Sequence, residues 1–264
     1  MSAQIALFAL LSGGLVGGVL GLIGGGGSIL ALPLLVYVVG VTDIHQAVGT
    51  SAIAVALNAL ASLAAHARKG NVRWPCAAVF TGGGIIGAII GSSLGKLVDG
   101  HLLLLLFGGL MIGIGISMFL RNEDNADADV RLTSAVAPRL VPRLLAAGLG
   151  VGLLSGFFGI GGGFLIVPGL ILATAMPLSL AIGTSLVAVS AFGLTTAANY
   201  ALSGLVDWRL AALVVAGGVG GAFLGSRASA ALAGRKRTLA AIFAAVVIAT
   251  GLFIIGREGL AILS

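Results

Sequence analysis

Long apolar runs separated by short polar turns constrain this sequence more than any other feature. Only 8% of the residues are charged and the mean hydropathy is +1.19, whereas a soluble domain of this length needs far more polar surface. A helix needs about 20 apolar residues to cross the core of a bilayer. We therefore predict an all-α, polytopic transmembrane helix bundle. Its apolar blocks span about residues 3–41, 45–66, 74–94, 101–120, 140–176, 178–202, 210–230 and 238–255.

The blocks form two copies of one unit. The tripeptide Gly-Thr-Ser at 49–51 recurs 134 residues later at 183–185, and Trp74 recurs at the same offset as Trp208. Such self-similarity indicates an internal duplication. A polar stretch rich in acids separates the copies. The expected parts are a first transmembrane repeat, a polar cytoplasmic linker and a second transmembrane repeat, at residues 1–120, 121–138 and 139–264.

Basic residues indicate that the two copies have opposite orientations. In the first copy Arg68, Lys69 and Arg73 fill the turn between the second and third blocks, whereas the basic cluster of the second copy, at 235–237, lies one turn later. Because Lys and Arg concentrate on the cytoplasmic side, this shift requires an odd number of crossings per copy. The first block then contributes two crossings or a re-entrant hairpin, since residues 28–39 extend only ~18 Å as a helix. We predict two inverted five-helix repeats, about 10 helices in all, with the first pair in each half short or re-entrant and both termini outside.

Glycine-rich breaks interrupt the first block of each copy, at 24–28 and 159–163, and each precedes a proline, Pro33 or Pro168. Lipid cannot satisfy the backbone groups that a broken helix exposes, so such breaks line protein or a wet cavity. The helix that follows has free N–H groups that favour an anion, and paired breaks in inverted halves point to a transporter's site. The alternative is that these glycines are hinges or tight packing points. The substrate contacts predicted here are Gly25, Gly26, Gly27, Ser28, Gly161, Gly162 and Gly163.

Hydroxyl and amide side chains follow at the start of the next block. On a helix, Ser51, Asn58 and Ser62 share one face, and such groups can bind an oxyanion without a buried charge. The alternative is that the hydroxyls bond their own helix or a neighbouring one. His45 could take part in proton coupling or could simply lie at the membrane interface. The contacts predicted from this region and its repeat are Gln46, Thr50, Ser51, Asn58, Thr184 and Ser185.

Glycine also recurs every four residues in the third block of each copy. This spacing places the small residues on one helix face, and in a membrane such a face lets two helices approach closely. We interpret it as a helix-packing ridge. It consists of Gly83, Gly87, Gly91 and Gly95 in the first copy and Gly217, Gly221, Gly225 and Ser229 in the second.

Other classes of protein fit the sequence poorly. The spans hold no metal-ligand cluster and no paired acids, so we expect no catalytic residue, no metal and no cofactor. Residues 91–96 imitate a P-loop, but the motif is one residue short and Leu97 replaces its Ser or Thr. The net charge of +6 comes from short basic clusters between apolar runs. Such clusters set topology, and we expect no nucleic-acid partner.

The order of these motifs resembles the TauE/SafE sulfite exporter family. Each copy has a glycine break before a proline, then Gly-Thr-Ser, then Gly-x3-Trp ending at Trp74 or Trp208, and the resemblance extends from about Gly14 to Gly256. It implies a multi-pass permease of the bacterial inner membrane that exports sulfite, an organosulfonate or another sulfur-containing anion. The first break departs from the pattern, since Ser28 stands where the second break has Gly163.

The function that we expect is secondary transport by alternating access between the two repeats. The partners would be a small anionic substrate of the sulfite or organosulfonate class and membrane lipid, and a homodimer is left open. Because no ATP-binding motif is found, coupling would come from an ion gradient, a substrate gradient or a separate subunit. The alternatives are a channel-like permease, a carrier for another anion such as sulfate or a carboxylate, and a membrane scaffold that binds a partner through its glycine ridges.

Overall fold

The computed structural model describes residues 3–23, 25–120, 137–231 and 236–263, which form helices joined by short turns. Residues 121–136, most of the predicted linker, lie outside the described residues. In the first half, the helices are α1 (Ala3–Ile23), a composite α2 at 25–39, α3 (Ile44–Arg68), α4 (Trp74–Gly95) and α5 (Gly100–Leu120). In the second half, they are α6 (Ala137–Phe158), α7 (Gly163–Thr174), α8 (Leu178–Leu202), α9 (Trp208–Ala231) and α10 (Lys236–Leu263).

Eight of the described helices are long and apolar enough to cross a membrane, and α2 and α7 are the two shorter apolar ones. The predicted polytopic bundle of about 10 helices is therefore confirmed. Of the first pair in each half, which we predicted to be short or re-entrant, only α2 and α7 are short, whereas α1 and α6 are long enough to cross. Large apolar side chains also face outward, as they do when lipid surrounds a protein. On α4 and α9 these exposed side chains include Ile86, Ile89, Phe223 and Leu224.

The chain reverses at the second glycine break, between α6 and α7. Gly159, Gly161 and Gly162 have φ angles of 67°, 64° and 66°, in the left-handed region that costs a residue with a side chain ~1–2 kcal/mol. α7 then packs back along α6, and Gly162 lies against Ser155. In the first half α2 packs back along α1 in the same way, as a 3-10 helix, a single α turn and a π-helical segment. Each first block is thus a helical hairpin with one short arm.

Equivalent helices of the two halves run in opposite directions where they meet. Gly49 near the start of α3 contacts Tyr200 near the end of α8. Likewise, His101 near the start of α5 pairs with Glu258 near the end of α10. An inverted repeat requires this antiparallel course, and the orientation of the halves in a membrane stays a prediction.

Glycine contacts join helices that belong to different halves. α4 runs parallel to α6, and α1 runs parallel to α9, with each glycine of the ridge lying directly on the backbone of the partner helix. A Cβ at any of these positions would collide with that backbone. The ridge is therefore confirmed as a packing surface at Gly83, Gly87, Gly91, Gly95, Gly217, Gly221 and Gly225.

We expect Gly87→Ala to destabilise the protein and Gly82→Ala to leave it unchanged. A methyl group at Gly87 would meet the carbonyl oxygen of Leu149, whereas nothing lies within 4 Å of a Cβ at Gly82. Overpacking of this kind costs ~1–3 kcal/mol, so the melting temperature of the purified Gly87→Ala protein in detergent should fall by several degrees. Equal melting temperatures for the two variants would contradict the close contact between α4 and α6.

Candidate functional site

Three polar side chains form a stripe along α3: Asn58, Ser62 and His66. Their spacing of four residues places them on one face of the helix. Oδ1 and Nδ2 of Asn58, Oγ of Ser62 and Nδ1 of His66 are buried, and none has a hydrogen-bond partner within the described part of the chain. A buried polar group without a partner costs ~1–3 kcal/mol. We interpret the stripe as a set of ligands that a bound solute would satisfy.

A cavity of about 160 Å³ lies beside this stripe, between α1, α3 and α9. Its volume is well above the ~10–15 Å³ that a single water needs by the same measure, so it has room for a small solute. Asn58 lies one turn deeper, against the backbone of Gly218. The cavity is lined by Gly21, Ala61, Ser62, Ala65, His66, Val219, Ala222 and Phe223, none of which is acidic.

Basic Arg and Lys side chains lie near this end of the cavity, although none of them lines it. The guanidinium of Arg227 lies 4.0 Å from the centre of the Phe223 ring, which lines the cavity. Arg68 and Lys69 directly follow His66, at the end of α3. Neutral hydrogen-bond donors in the cavity and cations outside it would together suit an anion. They stabilise negative charge without the cost of burying a positive charge.

The equivalent space in the second half is filled. Phe192, which stands where the first half has Asn58, packs against the backbone of Gly84 and stacks on Phe80 at 6.2 Å between ring centres. Tyr200, which stands where the first half has His66, is fully buried. The two halves share a backbone plan, but the first has a cavity lined in part by Ser62 and His66, whereas Phe192 and Tyr200 form an aromatic plug in the second.

A lysine links two helix ends, α4 and α8, on the side of the bundle opposite the cavity. Lys96 Nζ donates to Oδ1 of Asn199 at 2.8 Å and to Oγ of Ser203 at 2.9 Å. Asn199 Nδ2 donates in turn to Oγ of Ser92 at 2.6 Å. These bonds tie the end of α4 to the end of α8.

The threonines of the two Gly-Thr-Ser motifs act as ties between the halves. The backbone N–H of Asp207, just before α9, donates to Oγ1 of Thr50 at 3.0 Å. In the same way, the N–H of Arg73, just before α4, donates to Oγ1 of Thr184 at 3.0 Å. Thr50 lies near the start of α3, and Thr184 lies near the start of α8, which is beside the far end of α3 because the two helices run antiparallel. One small anion therefore cannot contact both threonines.

The serines and the glutamine predicted as contacts are spread along the bundle. Ser51 Oγ donates to the carbonyl oxygens of Val48 at 2.9 Å and Gly159 at 3.2 Å, and Ser185 Oγ donates within its own helix. Gln46 is half-buried at the start of α3. It lies ~30 Å along that helix from His66. Of the predicted residues, only Asn58 belongs to the stripe beside the cavity.

The glycine breaks are packed against protein in this conformation. Gly25 and Gly26 belong to the 3-10 helix, and Gly27, Ser28 and 161–163 are buried. Around the second break, Val48 and Val55 of α3 lie directly against Gly159 and Gly161. An anion could reach the N–H groups of this break only after α3 moves away.

Sequence reasoning missed His66, which lines the cavity, and Arg227, which lies beside the lining residue Phe223. His66 continues the four-residue spacing of Asn58 and Ser62, so extending that stripe by one turn would have found it. Arg227 has no such signal in the sequence, because only the packing of α9 against α3 brings it to the cavity.

Residues 9–254 match the profile of the family described as sulfite exporter TauE/SafE. The chain is 49% identical over 258 residues to a probable membrane transporter protein of Xylella fastidiosa, covering 98% of both proteins. It is 30% identical over 243 residues to the probable membrane transporter protein YunE of Bacillus subtilis, covering 85% of this chain and 88% of that one. No solved structure matches the chain.

Thr50→Val should destabilise the protein more than Thr250→Val. The first change removes the acceptor of the Asp207 N–H, whereas the Thr250 hydroxyl only donates to Val246 of its own helix on an exposed face. An N–H without an acceptor costs up to ~1–3 kcal/mol when it is buried, and that of Asp207 is partly buried, so thermal unfolding in detergent should detect the loss. Thr50→Ser keeps the acceptor and should restore the wild-type melting temperature. Equal effects of the two valine variants would contradict a stabilising role for the bond between Thr50 and Asp207.

Proposed function

This chain belongs to the sulfite exporter TauE/SafE family, and we propose that it is a secondary transporter that exports a small sulfur-containing anion such as sulfite or an organosulfonate. The family and the relatives make it a membrane transporter. The observation that supports a small anion as the substrate is the cavity lined by Ser62 and His66, with unpaired polar atoms and with Arg227 nearby. The sulfur chemistry comes from the family description alone.

A hydroxyl, an imidazole and an amide can each donate a hydrogen bond to an oxyanion. Asn58 and His66 are ~12 Å apart along the helix, so an anion would bind first to Ser62 and His66, which line the cavity. It would reach Asn58 only as it moves further in, and Arg227 beside Phe223 would attract it from outside. A bulky solute is disfavoured, because the volume is about 160 Å³ and most of the lining is apolar.

The cavity faces the side of the membrane from which an exporter takes its substrate. Arg68, Lys69 and Arg73 lie at the cavity's end of α3, and α10 begins at the same end with Lys236 and Arg237. By the bias of Lys and Arg toward the cytoplasm, this end is cytoplasmic. The linker is then cytoplasmic as well, both termini are outside, and the protein spans the bacterial inner membrane.

The route across the membrane follows the polar face of α3. From the cavity the anion would pass Asn58, then Ser51, and leave near Gln46 at the opposite end. That end is closed in this conformation by the ties of Lys96 and by the aromatic plug of the second half. Alternating access would open it when the two hairpins move about their glycine breaks. The movement frees the N–H groups of Gly25–Ser28 and of 161–163 to guide the anion.

Transport of radiolabelled sulfite into proteoliposomes tests this proposal. Asn58→Ala should reduce the initial rate at least about tenfold, since a hydrogen bond to a charged group is worth ~1.5–3 kcal/mol. Its melting temperature should not fall, because the amide has no partner to lose among the described residues. Ser190→Ala is the matched control, since this buried hydroxyl donates only to Leu186 of its own helix.

Normal rates in Asn58→Ala and in His66→Ala would exclude this stripe from the substrate site. A thermal-shift series with sulfite, sulfate, an organosulfonate and a carboxylate identifies the anion. A shift with the carboxylate alone would exclude a sulfur substrate, and single-channel currents would exclude alternating access.

A further inference from the structure

A second polar cluster lies at the other end of the bundle, around a buried acid on α10. Glu258 is 5% exposed. Its Oε1 accepts a hydrogen bond from the Tyr37 hydroxyl at 2.7 Å, and its Oε2 pairs with Nδ1 of His101 at 2.6 Å. The three side chains come from α10, α2 and α5, which are far apart in sequence.

The position of Glu258 is unusual for an acid. Of the four acids that the structure describes, Asp43, Asp99 and Asp207 lie in turns, whereas Glu258 lies in the apolar span Ala241–Leu260. A carboxylate within a membrane span costs several kcal/mol unless it is paired, and such residues commonly mark ion or proton pathways. The bonds from Tyr37 and His101 offset that cost here.

His101 connects this buried acid to solvent. The His101 side chain is 56% exposed, whereas that of Glu258 is 6% exposed. An imidazole accepts a proton on one ring nitrogen and releases one from the other, so it can pass protons between water and a carboxylate. The order is therefore solvent, His101, Glu258 and Tyr37, with one hydrogen bond between His101 and Glu258 and one from Tyr37 to Glu258.

The charge of Glu258 controls how firmly α2 is held. As a carboxylate it accepts from both Tyr37 and His101, which ties the first hairpin to α5 and α10. When protonated, it must donate from one oxygen, and these charge-assisted bonds weaken. The Tyr37 ring also packs edge-on against Phe253 at 5.3 Å between ring centres.

Two further charged groups lie near the cluster. Arg257 of α10 lies 5.0 Å from the centre of the Tyr37 ring, and Asp99 accepts from the backbone N–H of His101 at 2.9 Å. α3 approaches through an apolar contact, between Ile44 and Gly100. That contact places the cluster at the start of α3, about 30 Å along the helix from the cavity beside His66.

We propose that Glu258, with His101 and Tyr37, is a proton-binding site that couples anion transport to a proton gradient. A proton that arrives from the side opposite the cavity releases α2 and so favours movement of the first hairpin. Coupling rests on the proposed transport function, whereas proton binding by Glu258 does not.

Two flux measurements in proteoliposomes test the coupling, with radiolabelled sulfite as the probe and protein-free vesicles as the blank. Glu258→Gln mimics the protonated acid. It should lose the stimulation of net sulfite flux by an imposed pH gradient at least about tenfold, while sulfite exchange at equal pH stays within about twofold of the wild type. Tyr37→Phe keeps the ring but should shift the pH profile of net flux. Asp43→Asn changes an exposed acid before α3 and should match the wild type in both assays.

Infrared difference spectra of the purified protein across a pH series report proton binding without any substrate. The wild type and Asp43→Asn should show a carboxylic-acid carbonyl band that rises as the pH falls and that Glu258→Gln lacks. A band unchanged in Glu258→Gln, or an unchanged response of its flux to the pH gradient, would overturn the inference. A titrating band in a protein that moves no sulfite would instead refute the proposed function and leave the proton site standing.

Discussion

Contact between glycine backbones of different halves is the constraint on which the rest of the structure depends. Lipid supplies no hydrophobic force between membrane helices, so their association relies on close van der Waals packing. Here α1 lies on α9 and α4 on α6, with carbonyl oxygens where side chains would otherwise stand. Each half is therefore incomplete without the other. The interlocked groups are α1 with α3 and α9, and α4 with α6 and α8.

The two groups have one backbone plan and different contents. Ser62 and His66 line a small cavity in one, whereas Phe192 and Tyr200 fill the corresponding space in the other. Both groups hold buried polar atoms without a partner among the described residues, such as Oδ1 of Asn58 in the first and Oγ1 of Thr196 in the second. The cavity in one group and the aromatic packing in the other are a difference that a symmetric duplication alone would not produce.

The two helical hairpins, α1 with α2 and α6 with α7, contact each other and both groups of helices. The 3-10 helix of α2 packs against α7 near the centre. Ser51 of α3 bonds to Gly159 at the second break, and Tyr37 of α2 bonds to Glu258 of α10. A shift of either hairpin must change several of these bonds together. The proposed alternating access would require such a coupled change of contacts.

The sequence predicted the helices, their duplication and the glycine ridge. These follow from local properties, namely apolar length, residue spacing and the breaks, which do not depend on what each helix touches. Blocks 178–202 and 74–94, for example, match α8 (Leu178–Leu202) and α4 (Trp74–Gly95) closely. The face shared by Asn58 and Ser62 could also be predicted, since it depends only on helical periodicity.

Tertiary structure decided which of these polar residues meet. Thr50 and Thr184 share a motif, yet each binds the N–H that precedes a helix of the opposite half, because α3 and α8 run antiparallel. Glu258 and Tyr37 are separated by 221 residues along the chain. Their contact follows from the packing of α10 and α5 beside α2, and no spacing in the sequence encodes it. Local composition is enough to determine where the helices lie along the chain. The cavity and the Glu258 cluster form only where helices from both halves pack together.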